Sequence, residues 1–462
     1  MKLPEELLQS LDSTVGFNRD SFIEAHNSGS PVTSIRINPF KVPAPMALHL
    51  LSDSAIQRIP WSEYGFYLSN RPSFTFDPLF HAGCYYVQEP SSMFLEQAVK
   101  QVTDLSMPLK VLDLCGAPGG KSTHLQTLIS ADSLLVSNEV MKTRAGVLKQ
   151  NIIKWGCRNV VVTCNDPQHF RKLEGFFDLV VIDAPCSGSG LFRKDAEAIN
   201  EWSLDTVALC CGRQKRIVSD AFAALKPGGV LIYSTCSYSK EENEEIADWV
   251  VSEFPMESIP LVIDNAQGVV ETSSHEQRAK GYRFYPDRVH GEGFYMSCFL
   301  KTSGEECNFK AVKMDAASKK EKDIIAPWLQ HTDSVFLKEH FIYALPETLV
   351  ESYSVVKKAL NVQYAGVAIG EIMKERLVPD HALALSHLTS DLTAATELDM
   401  ETAIRYLQKA DIGLSTTTNG WQLVNFQSYN LGWINALANR VNNYYPKELR
   451  ILKQQDHSAS RK

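Results

Sequence analysis

Two cysteines stand where buried apolar segments of the chain are expected to end. Cys186 follows Pro185 in "VVIDAPCSGSG", and Cys236 closes "GGVLIYSTC". In parallel sheets the carboxyl ends of the strands carry the ligand-binding groups, and a thiolate is a strong nucleophile. Most of the other cysteines have apolar neighbours, which favours packing over chemistry. The pair therefore predicts a reaction that uses two thiols.

A glycine-rich turn, "LDLCGAPGGKS", precedes both cysteines in the chain. It fails the phosphate-loop pattern because residue 115 is cysteine instead of glycine, and it also lacks G-x-G-x-x-G. A nucleotide hydrolase that binds ATP or GTP with magnesium is therefore disfavoured. Since Pro118 stiffens the turn, we expect it to hold a compact ligand edge, such as an amino-acid carboxylate, at the start of the next helix.

Carboxylates close three consecutive predicted strands. Glu139 comes about twenty residues after the glycine turn, a spacing at which a carboxylate accepts ribose hydroxyls. Asp166 is expected to reach an adenine amino group, and Asp183 to lie beside the reacting end of the ligand. Combined with a turn that does not suit phosphates, these carboxylates predict a nucleoside cofactor without a polyphosphate, S-adenosylmethionine.

A methyl donor beside two thiols suits methylation of cytosine at C5. That carbon is a poor nucleophile until a thiolate adds to C6 and forms an enamine. The C5 proton must then be removed and the thiol expelled, and a second cysteine can assist these steps. The residues alone leave open which of Cys186 and Cys236 attacks.

The elements that position these residues alternate short apolar segments with helical ones. This alternation predicts the α/β class, with a mostly parallel sheet covered on both faces. The segment "GFYMSCFLK" is expected to add an edge strand, and Ser239 with Glu242 matches a capping box, so Glu242 is assigned no catalytic role. Strands are predicted at Leu109–Cys115, Ser133–Val140, Asn159–Asp166, Phe177–Pro185 and Gly228–Cys236.

Shifts in composition divide the 462 residues into predicted units. We expect an α+β cap at 1–100, the core at 101–302, a linker and small α/β unit at 303–385, a last unit at 386–455 and a disordered tail at 456–462. A cytoplasmic location is expected because the chain lacks an apolar run of about 18 residues and the features of a signal peptide. The net charge of −8 confines any nucleic-acid contact to a local basic face. No C-x-x-C or H-E-x-x-H pattern occurs, so no metal site is predicted.

The motifs "DLCGAPGGK", "DAPCSGSG" and "STCS", in this order, resemble those of the NOL1/NOP2/Sun family of RNA cytosine-5 methyltransferases. "SIRINP", "YYVQEPSSM" and "RFYPDRVHGEGFY" extend the resemblance. The C-terminal "GWQLV", "LGW" and "YYPKELR" resemble the PUA-like RNA-binding end of bacterial members that modify small-subunit ribosomal RNA. The resemblance implies a Rossmann-like class I methyltransferase with a seven-stranded sheet, a small N-terminal α+β RNA-binding domain and a C-terminal PUA-like domain.

The same resemblance implies roles for individual residues. Cys236 would be the nucleophile, and Cys186 would assist release of the product. Asp183 would lie beside the methyl group and the base, Glu139 would hold the ribose, and Asp166 would contact the adenine. The methionine part of S-adenosylmethionine would be wrapped by Cys115, Gly116, Ala117, Pro118, Gly119, Gly120 and Lys121.

The implied substrate is RNA, and within RNA the 16S ribosomal RNA or the small subunit that contains it. The protein is expected to act as a monomer without a membrane partner. Two alternatives remain open: a tRNA cytosine-5 methyltransferase, and an RNA-binding ribosome-assembly factor without catalytic activity.

Overall fold

The computed structural model describes residues 2–28, 32–43, 55–305, 307–331, 334–338, 341–414 and 418–453. The tail predicted at 456–462 lies outside these residues. The described residues form four β-sheets with helices between and around them. Within the described ranges, no helix is both long and apolar enough to cross a bilayer.

The N-terminal part is an antiparallel sheet of order β2-β3-β1-β4 that packs beside the core. Its strand β1 is buried throughout and carries Arg36 toward the core. The elements are α1 (Glu5–Leu11), α2 (Arg19–Ser28), β1 (Ser34–Ile37), β2 (Ala55–Arg58), β3 (Gly65–Leu68), α3 (Pro78–His81), β4 (Tyr85–Val87) and α4 (Leu95–Val102).

The core is a sheet whose central strands β7, β6, β5, β8 and β9 are parallel. The middle residues of these strands are apolar and buried on both faces, as a parallel sheet covered by helices requires. The core comprises β5 (Lys110–Asp113), α5 (Gly120–Leu128), β6 (Leu134–Asn138), α6 (Lys142–Trp155), β7 (Val160–Thr163), β8 (Phe177–Asp183), α7 (Glu197–Glu201), α8 (Leu204–Phe222), β9 (Leu225–Thr235), α9 (Glu244–Glu253), β10 (Met256–Ser258), β11 (Val270–Ser273), β12 (Lys280–Phe284) and β13 (Phe294–Lys301).

The order in which the strands are added to the sheet reverses between β5 and β8. From β5 the chain proceeds to β6 and β7 on one side, and it then returns to β8 and β9 on the other. A crevice forms at such a switch point, outside the carboxyl ends of the two strands, and it is the usual ligand site of open α/β sheets. The α/β class and the mostly parallel central sheet predicted from the sequence are confirmed.

The sheet is larger than the seven strands expected, and β13 is not its edge. β13 runs antiparallel between β9 and β12, β11 pairs with the far side of β12, and β10 also pairs with β13. The hairpin of β11 and β12 was not predicted because polar residues interrupt its apolar positions, as in Glu271 and Arg283. On the opposite side, β16 covers the edge of β7, which would otherwise expose unpaired backbone groups.

The C-terminal third contains two further four-stranded sheets, of orders β14-β15-β17-β18 and β19-β20-β21-β22. Strand β16 leaves this region to join the core sheet, which fastens the middle unit to the core. The elements are α10 (Lys319–Ile325), β14 (Ser334–Lys338), β15 (Phe341–Leu345), α11 (Val350–Ala359), β16 (Val362–Ala365), β17 (Val367–Met373), β18 (Arg376–Pro379), α12 (His381–Leu385), β19 (Ala395–Glu397), α13 (Met400–Leu407), β20 (Gly420–Phe426), β21 (Tyr429–Leu437) and β22 (Arg440–Asn443).

Candidate active site

A cavity of about 420 Å³ opens at the switch point, beside the carboxyl ends of β5 and β8. The N-terminal sheet, the glycine turn, the end of β9 and the start of β13 form its walls. The structure thus brings the predicted turn, one thiol and one carboxylate together. Among the residues that line the cavity are Gln88, Glu89, Cys115, Gly116, Ala117, Pro118, Gly120, Lys121, Arg144, Asp183, Cys236, Glu292 and Phe294.

The glycine turn between β5 and α5 is packed too tightly for side chains at its first glycine. A Cβ atom on Gly116 would lie 2.9 Å from Ser122 Oγ and 3.2 Å from an Asp113 carboxylate oxygen. Gly119 has φ of 117°, in the left-handed region that favours glycine. The turn therefore exposes its backbone to the cavity and leads directly into the N-terminus of α5.

Asp113 lies beneath this turn, at the end of β5, and is fully buried. One carboxylate oxygen accepts a hydrogen bond from Ser122 Oγ at 2.6 Å, while the other has no partner. Burial raises the pKa of Asp113 from 3.8 to about 7, and the nearby Asp183 charge adds to that effect. A buried carboxylate oxygen without a partner suits a site whose ligand is cationic.

Three predicted cofactor residues, Gly119, Glu139 and Asp166, do not line the cavity; Glu139 follows β6 directly, and Asp166 comes three residues after β7. Glu139 is buried, accepts from the Met141 backbone N–H at 3.0 Å and faces Arg144 Nη1 at 3.5 Å. Asp166 accepts from the Gln168 backbone N–H at 3.1 Å and pairs with Arg216 Nη1 at 3.3 Å. Their ribose and adenine roles therefore stay predictions.

Asn138, at the end of β6, joins these strand ends, although sequence reasoning did not single it out. Its amide group donates to the backbone carbonyls of Leu114 at 3.1 Å and Asn165 at 2.9 Å. Its carbonyl oxygen accepts from Thr163 Oγ1 at 2.8 Å and from the Asn165 N–H at 3.0 Å. One buried side chain thus holds the ends of β6 and β7 and the turn after β5 in a fixed arrangement.

Asp183, at the end of β8, is held by two partners. Lys121 Nζ lies 2.8 Å from one carboxylate oxygen, and Ser234 Oγ donates to the other at 2.9 Å. Burial alone would lower the pKa of the Lys121 ammonium, but the charge of Asp183 raises it above its ordinary value. The lysine also lies 5.2 Å from the centre of the Phe294 ring. The result is an oriented carboxylate beside the cavity.

The two predicted thiols meet next to this ion pair. Cys186 Sγ and Cys236 Sγ are 3.1 Å apart, although the residues are fifty positions apart in the chain. Cys236 lines the cavity and Cys186 does not, although both residues are partly exposed. The hydrogen bond with Cys236, aided by burial, raises the pKa of the Cys186 thiol well above its usual value. The cavity therefore reaches one thiol of the pair, and the raised pKa of the other favours its protonated form.

The capping box predicted from Ser239 and Glu242 is wrong. Ser239 Oγ has no hydrogen-bond partner, and α9 begins only at Glu244. A 3₁₀ turn at Lys240–Glu242 precedes the helix and buries the Glu242 carboxylate among the loops that carry the thiols. The i to i+3 spacing of a capping box also occurs in such a turn, which explains the error.

Arg36 connects the N-terminal sheet to the helix that follows the glycine turn. Its guanidinium donates to Gln88 Oε1 at 2.9 Å, to Thr123 Oγ1 at 2.6 Å and to the Gly120 carbonyl at 3.2 Å, and it stacks 4.5 Å from the Trp155 ring. The residue is fully buried, and burial lowers the pKa of Arg36 to about 9. The N-terminal unit therefore holds α5 in position through the hydrogen bonds of Arg36.

The residues around the cavity fit S-adenosylmethionine. Residues of the glycine turn line the cavity at the N-terminus of α5, the buried carboxylate of Asp113 lies next to the turn, and the Lys121–Asp183 pair also lines the cavity. Among the described residues, no group of three or more His, Cys, Asp or Glu side chains is arranged to hold a metal ion.

Comparisons with known proteins match nearly the whole chain. Residues 103–300 match the model of 16S rRNA methyltransferase RsmB/F, residues 3–90 that of the N-terminal domain of 16S rRNA methyltransferase RsmF, and residues 393–451 that of the methyltransferase RsmF PUA domain. A solved methyltransferase homolog from Pyrococcus horikoshii is 29% identical with a TM-score of 0.52, over 65% of this chain and all of that one.

Curated relatives agree with these matches. "Ribosomal RNA small subunit methyltransferase F" of Vibrio vulnificus is 28% identical, and the protein of that name from Vibrio parahaemolyticus is 30% identical; each alignment covers 97% of both chains. The family resemblance noted in the motifs is confirmed. The chain belongs to the RsmF family of methyltransferases, whose methyl donor is S-adenosylmethionine.

Proposed function

We propose that this protein methylates C5 of a cytosine in RNA, in the 16S ribosomal RNA of the small subunit, through a covalent adduct between Cys236 and C6. The observation that carries the proposal is the thiol pair, 3.1 Å apart, with one member lining the cavity beside Asp183. The names of the relatives support ribosomal RNA as the substrate, and the PUA-type C-terminal domain supports RNA binding.

S-adenosylmethionine, when bound, would supply an electrophilic methyl group and leave as S-adenosylhomocysteine. The Cys236 thiolate forms a bond to C6, and the C5=C6 electron pair moves to C5, which makes that carbon nucleophilic. Asp183, held by Lys121 and Ser234, orients the base through its polar edge. After C5 has gained the methyl group, its proton passes to water, and the Cys186 thiol, 3.1 Å from Cys236 Sγ, donates a hydrogen bond to the departing sulfur. The C5=C6 bond re-forms, the S–C6 bond breaks and the thiolate returns to Cys236.

This assignment predicts different outcomes when each cysteine is replaced by alanine. Cys236→Ala should abolish methyl transfer from radiolabelled S-adenosylmethionine to small-subunit RNA. Cys186→Ala should allow transfer but leave RNA attached, visible as a protein band of reduced mobility that nuclease treatment restores. Cys307→Ala is the matched control, because Cys307 is a part-buried thiol that does not line the cavity. A trapped adduct in Cys236→Ala instead would reverse the two roles.

Bisulfite sequencing of total RNA from a strain lacking the protein, compared with its parent, tests the substrate. We expect a cytosine signal in 16S ribosomal RNA to disappear. Loss of a signal only in tRNA would refute the ribosomal assignment. Unchanged RNA, together with binding of the purified protein to the subunit, would favour the assembly-factor alternative.

A further inference from the structure

A buried carboxylate joins the two loops that carry the thiols. Glu242 Oε1 accepts from the Ser187 backbone N–H at 2.8 Å and from Gln214 Nε2 at 3.2 Å. Glu242 Oε2 accepts from Ser187 Oγ and Ser237 Oγ, both at 2.5 Å. Ser187 follows Cys186 and Ser237 follows Cys236 in the chain. The carboxylate therefore contacts the residue next to each thiol.

All four contacts are made by groups that can donate to the carboxylate, the pattern expected for its ionised form. The side chain is fully buried, and burial raises the pKa of Glu242 above its ordinary value, while the hydrogen bonds from Ser187 and Ser237 oppose that rise. An ionised carboxylate costs free energy to bury, and the four hydrogen bonds offset that cost only while the two thiol loops stay together.

Other contacts join the same loops without bearing a charge. The Gly190 N–H donates to the Cys236 carbonyl at 2.9 Å, and the Tyr238 N–H donates to Ser189 Oγ at 2.9 Å. Asn243, next to Glu242, donates to the Ser237 carbonyl at 2.8 Å and accepts from Thr235 Oγ1 at 2.6 Å. The loops therefore retain several connections when the Glu242 side chain is changed, and the charge can be tested separately from the fold.

The charge of Glu242 acts on the Cys186 thiol. It is one of the causes that raise the pKa of Cys186, after the hydrogen bond with Cys236, burial and the charge of Cys236 itself. Other titratable groups near the two thiols and Glu242 come from β8, β9, α8 and α5. They include Asp183, Tyr233, Cys210, Cys211 and Lys121.

We infer that Glu242 is a positioning residue for the methyl-transfer reaction, which holds Cys186 and Cys236 in contact and keeps Cys186 in its thiol form while Cys236 attacks. This inference rests on the proposed two-thiol function. It adds the group that keeps one cysteine as a thiol while the other attacks as a thiolate. Glu242 touches neither the cavity nor the reacting atoms; it acts through the serines next to each thiol.

Two substitutions separate shape from charge. Glu242→Gln keeps the size and one carbonyl acceptor but removes the charge, whereas Glu242→Ala removes every contact. Glu245→Gln is the matched control, because Glu245 is an exposed carboxylate three residues further along. The first measurement is the rate of alkylation of Cys186 by iodoacetamide between about pH 8 and pH 12, over short exposure times and followed by mass spectrometry of its peptide. This readout needs no RNA, so it does not depend on the proposed substrate.

We expect the pH midpoint of Cys186 alkylation to fall by at least half a pH unit in Glu242→Gln and to stay unchanged in Glu245→Gln. Single-turnover methyl transfer should fall about 100-fold in Glu242→Ala and be partly restored in Glu242→Gln, with little change in KM for RNA. An unchanged alkylation midpoint, or Glu242→Ala within twofold of wild type, would overturn the inference. If wild-type enzyme forms no 5-methylcytosine, the proposed function fails instead, whatever the alkylation result.

Discussion

The buried carboxylate under the glycine turn makes the stability of the core depend on pH. Asp113 is fully buried, with one oxygen bound to Ser122 and the other without a partner. Asp113→Asn preserves the shape and can still accept the hydrogen bond from Ser122 Oγ, but it carries no charge. The substitution therefore resembles the protonated wild-type side chain at every pH.

The sign of the effect follows from the raised pKa. Because the folded protein holds this proton up to about pH 7 while the unfolded chain loses it near pH 3.8, the free energy of unfolding of the wild type falls as pH rises through that window and is level above it. At 1.4 kcal/mol per pH unit the full loss is about 4 kcal/mol. The difference in the free energy of unfolding, Asp113→Asn minus wild type, should therefore increase by about 2.5 kcal/mol between pH 5 and pH 8.

Thermal unfolding monitored by tryptophan fluorescence at pH 5, 6, 7 and 8 checks this expectation. For a unit the size of the core, this increase corresponds to about 5–10 °C in the difference between the two melting temperatures. Asp205→Asn, an exposed carboxylate in the first turn of α8, is the control and should follow the wild type. Equal differences at pH 5 and pH 8 would show that Asp113 is ionised throughout and refute the reasoning.

The cofactor gives a second measurement on the same side chain. A cationic ligand in the neighbouring cavity lowers the pKa of a carboxylate by favouring its ionised form. Saturating S-adenosylmethionine should therefore stabilise the wild type more at pH 8 than at pH 5 and reduce the advantage of Asp113→Asn. The variant should also bind the cofactor less tightly, which isothermal titration calorimetry would measure.

Three further substitutions test the residues that hold the site. Lys121→Met removes the cation 2.8 Å from Asp183, and methyl transfer should fall at least tenfold at saturating cofactor; unchanged kcat would contradict the orienting role. Arg36→Met leaves several buried acceptors unpaired and should cost about 3 kcal/mol or more in urea denaturation, whereas a loss below 1 kcal/mol would contradict the link to α5. Asn138→Ala should weaken cofactor binding as well as lower the melting temperature, because it frees the strand ends together; a change in stability alone would limit Asn138 to packing.

The local motifs allowed much of the core to be predicted. Near-continuous apolar strands between helices determine a parallel sheet, because only strands buried on both faces can lack polar positions. The ends of those strands then place the Cys115–Lys121 turn, Asp183 and Cys236 at one edge, which is where the structure has them. Identification of the family followed from the motifs that carry these residues, and the comparisons confirmed it.

The sequence could not indicate that β16 flanks the core or which side chains hold the site. Strand β16 comes from the middle unit, nearly two hundred residues after its partner β7, and nothing local predicts such a pairing. Glu242 matched a helix cap, yet a 3₁₀ turn directs it toward Ser187 and Ser237.

The sequence by itself determined the chemistry that is available: two thiols, a carboxylate, a glycine turn and the strand ends that carry them. The tertiary structure alone decided that Cys186 and Cys236 lie 3.1 Å apart with only Cys236 lining the cavity, and that Asp113 is buried with an unpartnered oxygen. The physical reason is that desolvation and hydrogen bonding depend on which distant segments pack together.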